Sequence, residues 1–222
     1  MNFTYELYSE IIKAALDSGY SVITVNDFVK DATNTRKVLV LRHDLDKNPH
    51  SMYPMAKLEL ELGVKSSIFV RVMGAEYNPL SYGLVTELQK LEKSGFEIGL
   101  HSNFLEFATY TGLDPLSVLS TEHHILSSIY NIKGISCHRD INFQVNSLPY
   151  LQSNWDSIKR ITGLEYDAYD ERLFGKLVYV NEGLNPHLNW RNHSPFDIIS
   201  QGNSLYLLTH NHWWYETIPF LS

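Results

Sequence analysis

The chain has 222 residues, 44% of them hydrophobic and 13% aromatic, enough for one domain with a substantial core. Its net charge of -7, with no run of five or six like charges, argues against a nucleic-acid binder, which depends on basic patches. The single cysteine, Cys137, excludes an internal disulfide and suits a reducing compartment, and no segment approaches the ~18 consecutive apolar residues of a transmembrane helix.

The first residues, MNFTYELYSEIIKAALDSGY, show no basic segment followed by an apolar one, so no signal peptide is expected and the expected location is cytoplasmic. Residues 4–18 have the spacing of an amphipathic helix, with Tyr5, Tyr8, Ile12, Ala15 and Leu16 near one face and Gly19 as its stop. Residues 21–29 read as a short strand or turn and a polar link. Val38–His43 is a continuous apolar run ending in charge, the pattern of a strand covered on both faces. Asn48 and Pro49 read as N-cap and first position of a helix reaching Leu62, with Pro54 delaying or kinking it.

Further along, the pattern predicts strands over 64–73, 96–101 and 135–138, separated by helices over 81–94 and from Asp114-Pro115 to about Tyr130. A short helix over 153–161, short strands over 164–169 and 177–180, and a last strand over 205–209 complete the chain. Residues 181–201 are irregular and rich in Asn, Pro and His, as functional loops often are. The alternation of strand and helix implies parallel strands with right-handed crossovers in one α/β domain spanning the whole chain.

Four apolar runs end on chemistry-bearing residues: VLVLRHDLD at 38–46, FEIGLHS at His101, GISCHRD at His138 and SLYLLTHNH at His210 and His212. A lone histidine at a strand end is most often simply hydrogen-bonded. Four such endings suggest strands of one sheet aimed at one site. Asp44 and Asp46 lie two apart on extended chain and so share a face. Clustered charges past a buried run need a partner, and a divalent cation is one. His123 and His124 lie about 100° apart on a helix, so they cannot share a ligand; the Glu122–His124 cluster reads as helix surface, and His50, His187 and His193 as loop or helix polar residues. Trp213 and Trp214, like Trp190, read equally as core and as sugar-stacking surface.

Together these residues resemble the polysaccharide deacetylase family, in particular its branch with R-H-D-x-D as first motif. RHDLD at 42–46 resembles that motif, FEIGLHS the second, ISCHRD the third, and LLTHNHWW the last, histidine-bearing one. The resemblance runs over nearly the whole chain. It implies a distorted (β/α) barrel of about seven parallel strands, a divalent metal, zinc first, and hydrolysis of an N-acetyl group on an acetylated sugar or glycan precursor. By the same resemblance Asp44 is the general base, Asp46 and His101 are metal ligands, His210 is the general acid, and Arg139 helps orient the base.

Two positions depart from the family pattern. Leu105 stands where the second motif carries another histidine ligand, and Leu45 where the first carries an adjacent aspartate. The third ligand is therefore expected to be His138, which ends its own strand, with His210 as the alternative. The departures also admit a catalytically inactive carbohydrate-binding or scaffold member, or a hydrolase of another linear or cyclic amide. A cytoplasmic deacetylase would meet a nucleotide-linked or lipid-linked sugar during surface-glycan synthesis.

Overall fold

The computed structural model describes residues 3–31, 36–139, 145–182 and 190–216. His187, and the middle of the stretch expected to be an irregular loop, lie outside the described residues. The strands are β1 (Ser21–Ile23), β2 (Val38–Leu45), β3 (Ser67–Arg71), β4 (Glu97–Ser102), β5 (Gly134–Cys137), β6 (Tyr166–Asp167), β7 (Val178–Asn181) and β8 (Leu205–His210). The helices are α1 (Tyr5–Asp17), α2 (Val25–Lys30), α3 (Met52–Glu61), α4 (Tyr82–Lys93), α5 (Phe104–Thr111), α6 (Pro115–Ser127), α7 (Ser147–Ser153), α8 (Trp155–Thr162), α9 (Glu171–Phe174) and α10 (Pro195–Ser200).

Seven strands lie side by side in the order β6-β5-β4-β3-β2-β8-β7, all parallel, and β1 pairs with the first half of β2. The sheet is curled into a half-barrel, consistent with the distorted (β/α) barrel expected. The curl brings distant strands together across its concave side. Arg42 on β2 reaches Ser136 on β5, and the Tyr206 hydroxyl of β8 donates to the carbonyl of Ala168, just past β6, at 3.0 Å.

β2 is the centre of this arrangement, and all eight of its residues are buried. Its odd positions Leu39, Leu41 and Leu45 join the large core beneath the helices, where α1 contributes Tyr8, Ile11, Ile12 and Ala15 at helical spacing. Its even positions Val38 and Val40 join a second core inside the curl, with Phe69, Tyr166 and Tyr206. Space there is tight. A Cβ on Gly99 would lie 2.5 Å from the Phe69 ring, so the glycine is what lets that ring fill the half-barrel.

Several local expectations need correction. The strand carrying Asp44 runs two residues further than expected, so Asp44 is in the strand and Asp46 just beyond it. Asn48 does not cap a helix with its side chain. It adopts a left-handed conformation (φ 41°), and its carbonyl accepts from Ser51 N and from Asn211 Nδ2 at 2.7 Å, tying the end of β8 to the loop after β2. A 3-10 turn over Pro49–Ser51 precedes α3, which begins at Met52 and so takes Pro54 in its first turn, where no intrahelical donor is lost. Helices α2, α5 and α10 stand where links or loop were expected, and α2 is opened by Thr24, whose hydroxyl accepts from Asp27 N at 3.0 Å. No helix among the described residues is long and apolar enough to cross a membrane.

Candidate metal centre

The carboxyl ends of β2, β4, β5, β7 and β8 open into one cavity of about 530 Å³. Asp44, Asp46, His101, His138, Arg139 and His210 all line it. The residues singled out in the sequence thus converge at one place, although the strands that bring them are far apart in the chain.

Asp46, His101 and His138 each offer a ligand atom, and these atoms lie within 4.8 Å of one another. His101 Nε2 is 2.9 Å from Asp46 Oδ1, and His138 Nε2 is 3.8 Å from the same oxygen. Two donors on one small divalent ion, each about 2.1 Å from it, stand at most ~4.2 Å apart, so both distances suit a shared cation. His210 Nε2 faces the other oxygen, Asp46 Oδ2, at 3.8 Å and is outside the mutual cluster.

The far side of the His101 ring fixes which of its nitrogens is free. His101 Nδ1 faces the carbonyl oxygen of Ser136 at 3.2 Å. A carbonyl only accepts, so Nδ1 carries the proton and Nε2 presents a lone pair. In a neutral imidazole that lone pair would confront the Asp46 carboxylate at 2.9 Å, acceptor against acceptor. A proton or a cation between them removes the conflict, and the donor set therefore fits a metal. His138 has no such bond: its Nδ1 is buried without a hydrogen-bond partner, with the buried Glu106 Oε2 of α5 3.8 Å away. A carboxylate behind a ligating histidine is the usual outer support of such a ligand.

His210 is backed by Glu182 at the end of β7. Glu182 accepts from His210 N at 2.9 Å and from Trp214 Nε1 at 2.6 Å, and lies 3.1 Å from His210 Nδ1. Burial alone would lower the His210 pKa; the hydrogen bond and charge of Glu182, with Asp46 and Asp44, outweigh it and raise the imidazole to about 9. Its ring also packs on Trp213, centroids 4.6 Å apart. His212, two residues on, does not share the cavity wall, because the chain turns into a 3-10 helix at Asn211; burial lowers its pKa to about 4.

Asp44 is gripped by Arg42 on the same strand face. Arg42 Nε donates to Oδ1 at 2.9 Å and Nη2 to Oδ2 at 2.6 Å, a bidentate pair between fully buried groups. The guanidinium also donates to the Tyr206 hydroxyl at 3.1 Å and to Ser136 Oγ, and lies over the rings of Phe69 and Tyr169. Burial pushes the Asp44 carboxyl up, but Arg42, then His101, hold it below the usual carboxylate range. Arg139, by contrast, is exposed on the cavity wall. Among the described residues no hydrogen bond or ion pair joins it to Asp44, whose oxygens Arg42 already occupies.

His43 points the other way. Its Nδ1 lies 2.5 Å from Thr209 Oγ1 and its Nε2 2.7 Å from Glu59 Oε1 of α3, and the Tyr8 hydroxyl donates to the same carboxylate. Ser66 Oγ completes this buried network at 2.7 Å from Glu59 Oε2. Glu122, read as helix surface, is instead buried, accepts from Ser102 Oγ, and has its pKa raised to about 7 by burial. Trp190 and Trp214 belong to the core around Phe3, with ring centroids 4.9 and 5.0 Å from that residue.

No protein-family model and no curated protein matches this chain. The functional reading therefore stands on the geometry of the site and on the motifs in the sequence.

Proposed function

We propose that this chain is a metal-dependent hydrolase that removes an N-acetyl group from a sugar or glycan precursor. One observation carries the reading: a carboxylate gripped by an arginine (Asp44, Arg42) and an imidazole backed by a carboxylate (His210, Glu182) flank a three-donor cluster in one cavity, and these partners push the two pKa values apart. Two titratable groups pushed apart in this way suit a base and an acid acting in the same step.

Asp46, His101 and His138 would hold the metal, and one carboxylate with two imidazoles leaves open positions and suits zinc. When bound, a divalent metal supplies Lewis acidity toward an amide carbonyl and toward water. The chain's own residues then divide the proton work. Asp44, fixed by two hydrogen bonds from Arg42, accepts the proton of the attacking water. His210, kept charged at neutral pH by Glu182, protonates the departing amine as the carbon–nitrogen bond breaks. The products are acetate and a free amine. Tyr169 and Tyr179 line the cavity wall, and the ordered motifs resembling polysaccharide deacetylases support a sugar as the substrate class.

The test pairs metal content with acetate release from a panel of acetamido sugars. Asp46→Ala and His101→Ala should each lower metal per chain, whereas Asp44→Asn should keep the metal and lose roughly 10²-fold of the rate. Unchanged metal in both ligand variants would move the site elsewhere. Equal rates in wild type and Asp44→Asn would remove Asp44 from the mechanism. The same donor set also serves non-haem iron, so the elemental assay reads which metal co-purifies. A wild type that binds acetamido sugars and releases no acetate is a carbohydrate-binding protein.

A further inference from the structure

Resting on the deacetylase reading, we infer that Arg139 and Arg191 form a phosphate-binding site at the mouth of the metal cavity, so that the substrate is an acetamido sugar bearing a phosphate ester. The chain has 25 acidic and 18 basic side chains, and acids are plentiful partners for its arginines. Arg42 holds Asp44, Arg71 holds Glu76 and Arg172 holds Asp170. Arg139 and Arg191 are different. Both line the cavity, both are exposed, and among the described residues neither guanidinium has an ion-pair or hydrogen-bond partner.

Their placement is built into the fold. Arg139 directly follows His138 at the end of β5. Arg191 is fixed beside the end of β7 by its backbone N–H, which donates to Asn181 O at 3.0 Å. β5 and β7 lie near opposite edges of the curled sheet, so the two arginines approach one cavity from opposite walls. A guanidinium presents a planar fork of donors that matches phosphate oxygens, and two of them suit a dianion better than a single carboxylate. On the Arg191 side of the cavity, Asn181 offers a buried Oδ1 with no hydrogen-bond partner, an acceptor for a sugar hydroxyl or amide N–H. A cavity of about 530 Å³ accommodates a sugar with its phosphate, the acetyl group inward at Asp44 and His210 and the ester outward at the arginines.

The test measures binding to the metal-loaded Asp44→Asn protein, which should not turn substrate over. The probes are N-acetylglucosamine, its 1-phosphate, UDP-N-acetylglucosamine, and an N-acetylated amino-sugar uronate. At low salt the 1-phosphate should bind roughly tenfold or more tightly than the neutral sugar, with the advantage shrinking as salt rises. Adding Arg139→Gln and Arg191→Gln should reduce that advantage to about twofold or less with metal content unchanged. A further gain with the UDP sugar assigns a nucleotide-linked source; equal affinity for both phosphorylated probes assigns the phosphate alone. Equal affinities for neutral and phosphorylated sugars overturn the inference. So does a preference that survives the double substitution, one that vanishes on chelation with both arginines intact, or a uronate that binds best. Acetate release by wild type is scored separately. Phosphate preference without acetate release removes the deacetylase reading and leaves the arginine site standing; acetate release with equal affinities does the reverse.

Discussion

Replacing Arg42 with Met should cost this protein much of its stability. Met keeps an unbranched apolar stem and removes only the charged fork. Arg42 is fully buried, and the Asp44 side chain it holds is 3% exposed. Breaking such a pair from one side leaves a buried charge without compensation and costs about 3–5 kcal/mol. At ~2–4 °C per kcal/mol for a chain of this size, the melting temperature should fall by roughly 6–20 °C. The assay is thermal unfolding of chelator-treated protein at several pH values. In the wild type the Asp44 carboxyl lies below its usual range, so its contribution is present above about pH 4 and lost as pH falls through the folded-state value. Without Arg42 the remaining burial raises the carboxyl, and the sign reverses: the variant's deficit should narrow as the medium is acidified. Arg42→Met with Asp44→Asn should recover most of the loss, since no unpaired charge remains. A single variant melting within about 2 °C of wild type, or a double variant no better than the single, would refute the argument.

Glu182→Gln should lower the His210 pKa from about 9 toward or below its ordinary value, read from the imidazole C–H shifts in an NMR titration. The raised pKa also makes His210 a source of stability that is full below about pH 6.5 and lost as pH rises through about 9, so the variant should lose that alkaline limb. Glu106→Gln should weaken metal affinity by roughly 10–100-fold in a chelator competition, because it acts on His138 from behind; an unchanged dissociation constant would confine Glu106 to packing. Gly99→Ala should destabilise by about 1–3 kcal/mol in denaturant unfolding, since its methyl group would meet the Phe69 ring at 2.5 Å; unaltered stability would mean the ring has room to retreat.

The framework was legible because β2, β4, β5 and β8 are short apolar runs that each end in a histidine or aspartate. That pattern located the sheet, its parallel sense and the end that carries the chemistry. Alternation along a strand reached further than it was taken. It put Asp44 and Asp46 on one face, and by the same rule it put Arg42 with them and His43 on the other. Glu106 and Glu182 left no such trace. One falls in a stretch where no helix was expected and the other at the start of a loop, and only their three-dimensional neighbours bury them, both at 3% exposure. Helices α2, α5 and α10 have six to eight residues, too few for intrinsic propensity to announce them; packing against the sheet stabilises them. Asn48 does stand at the cap position with Pro49 after it, but it opens a 3-10 turn, and its left-handed backbone goes with no side-chain cap bond.

The five residues from Arg42 to Asp46 carry two unrelated polar assemblies on opposite sides of a single strand. The even positions supply the cavity, and His43 supplies the network that joins α1, α3 and β8 beneath it. Sliding β2 by one residue against its neighbours would exchange the two sides. Arg42 and Asp44 would enter the apolar layer under the helices, Glu59 would lose its imidazole, and Leu45 would face His101 and His138. An ordinary half-buried strand that slips exposes some oil to water. This one would strand ions in oil on one side and strip the cavity of its polar lining on the other. Misaligned pairings of β2 are therefore disfavoured twice over during folding, and a single-residue insertion or deletion between Val38 and Asp46 should be as damaging to assembly of the sheet as to any reaction at its edge.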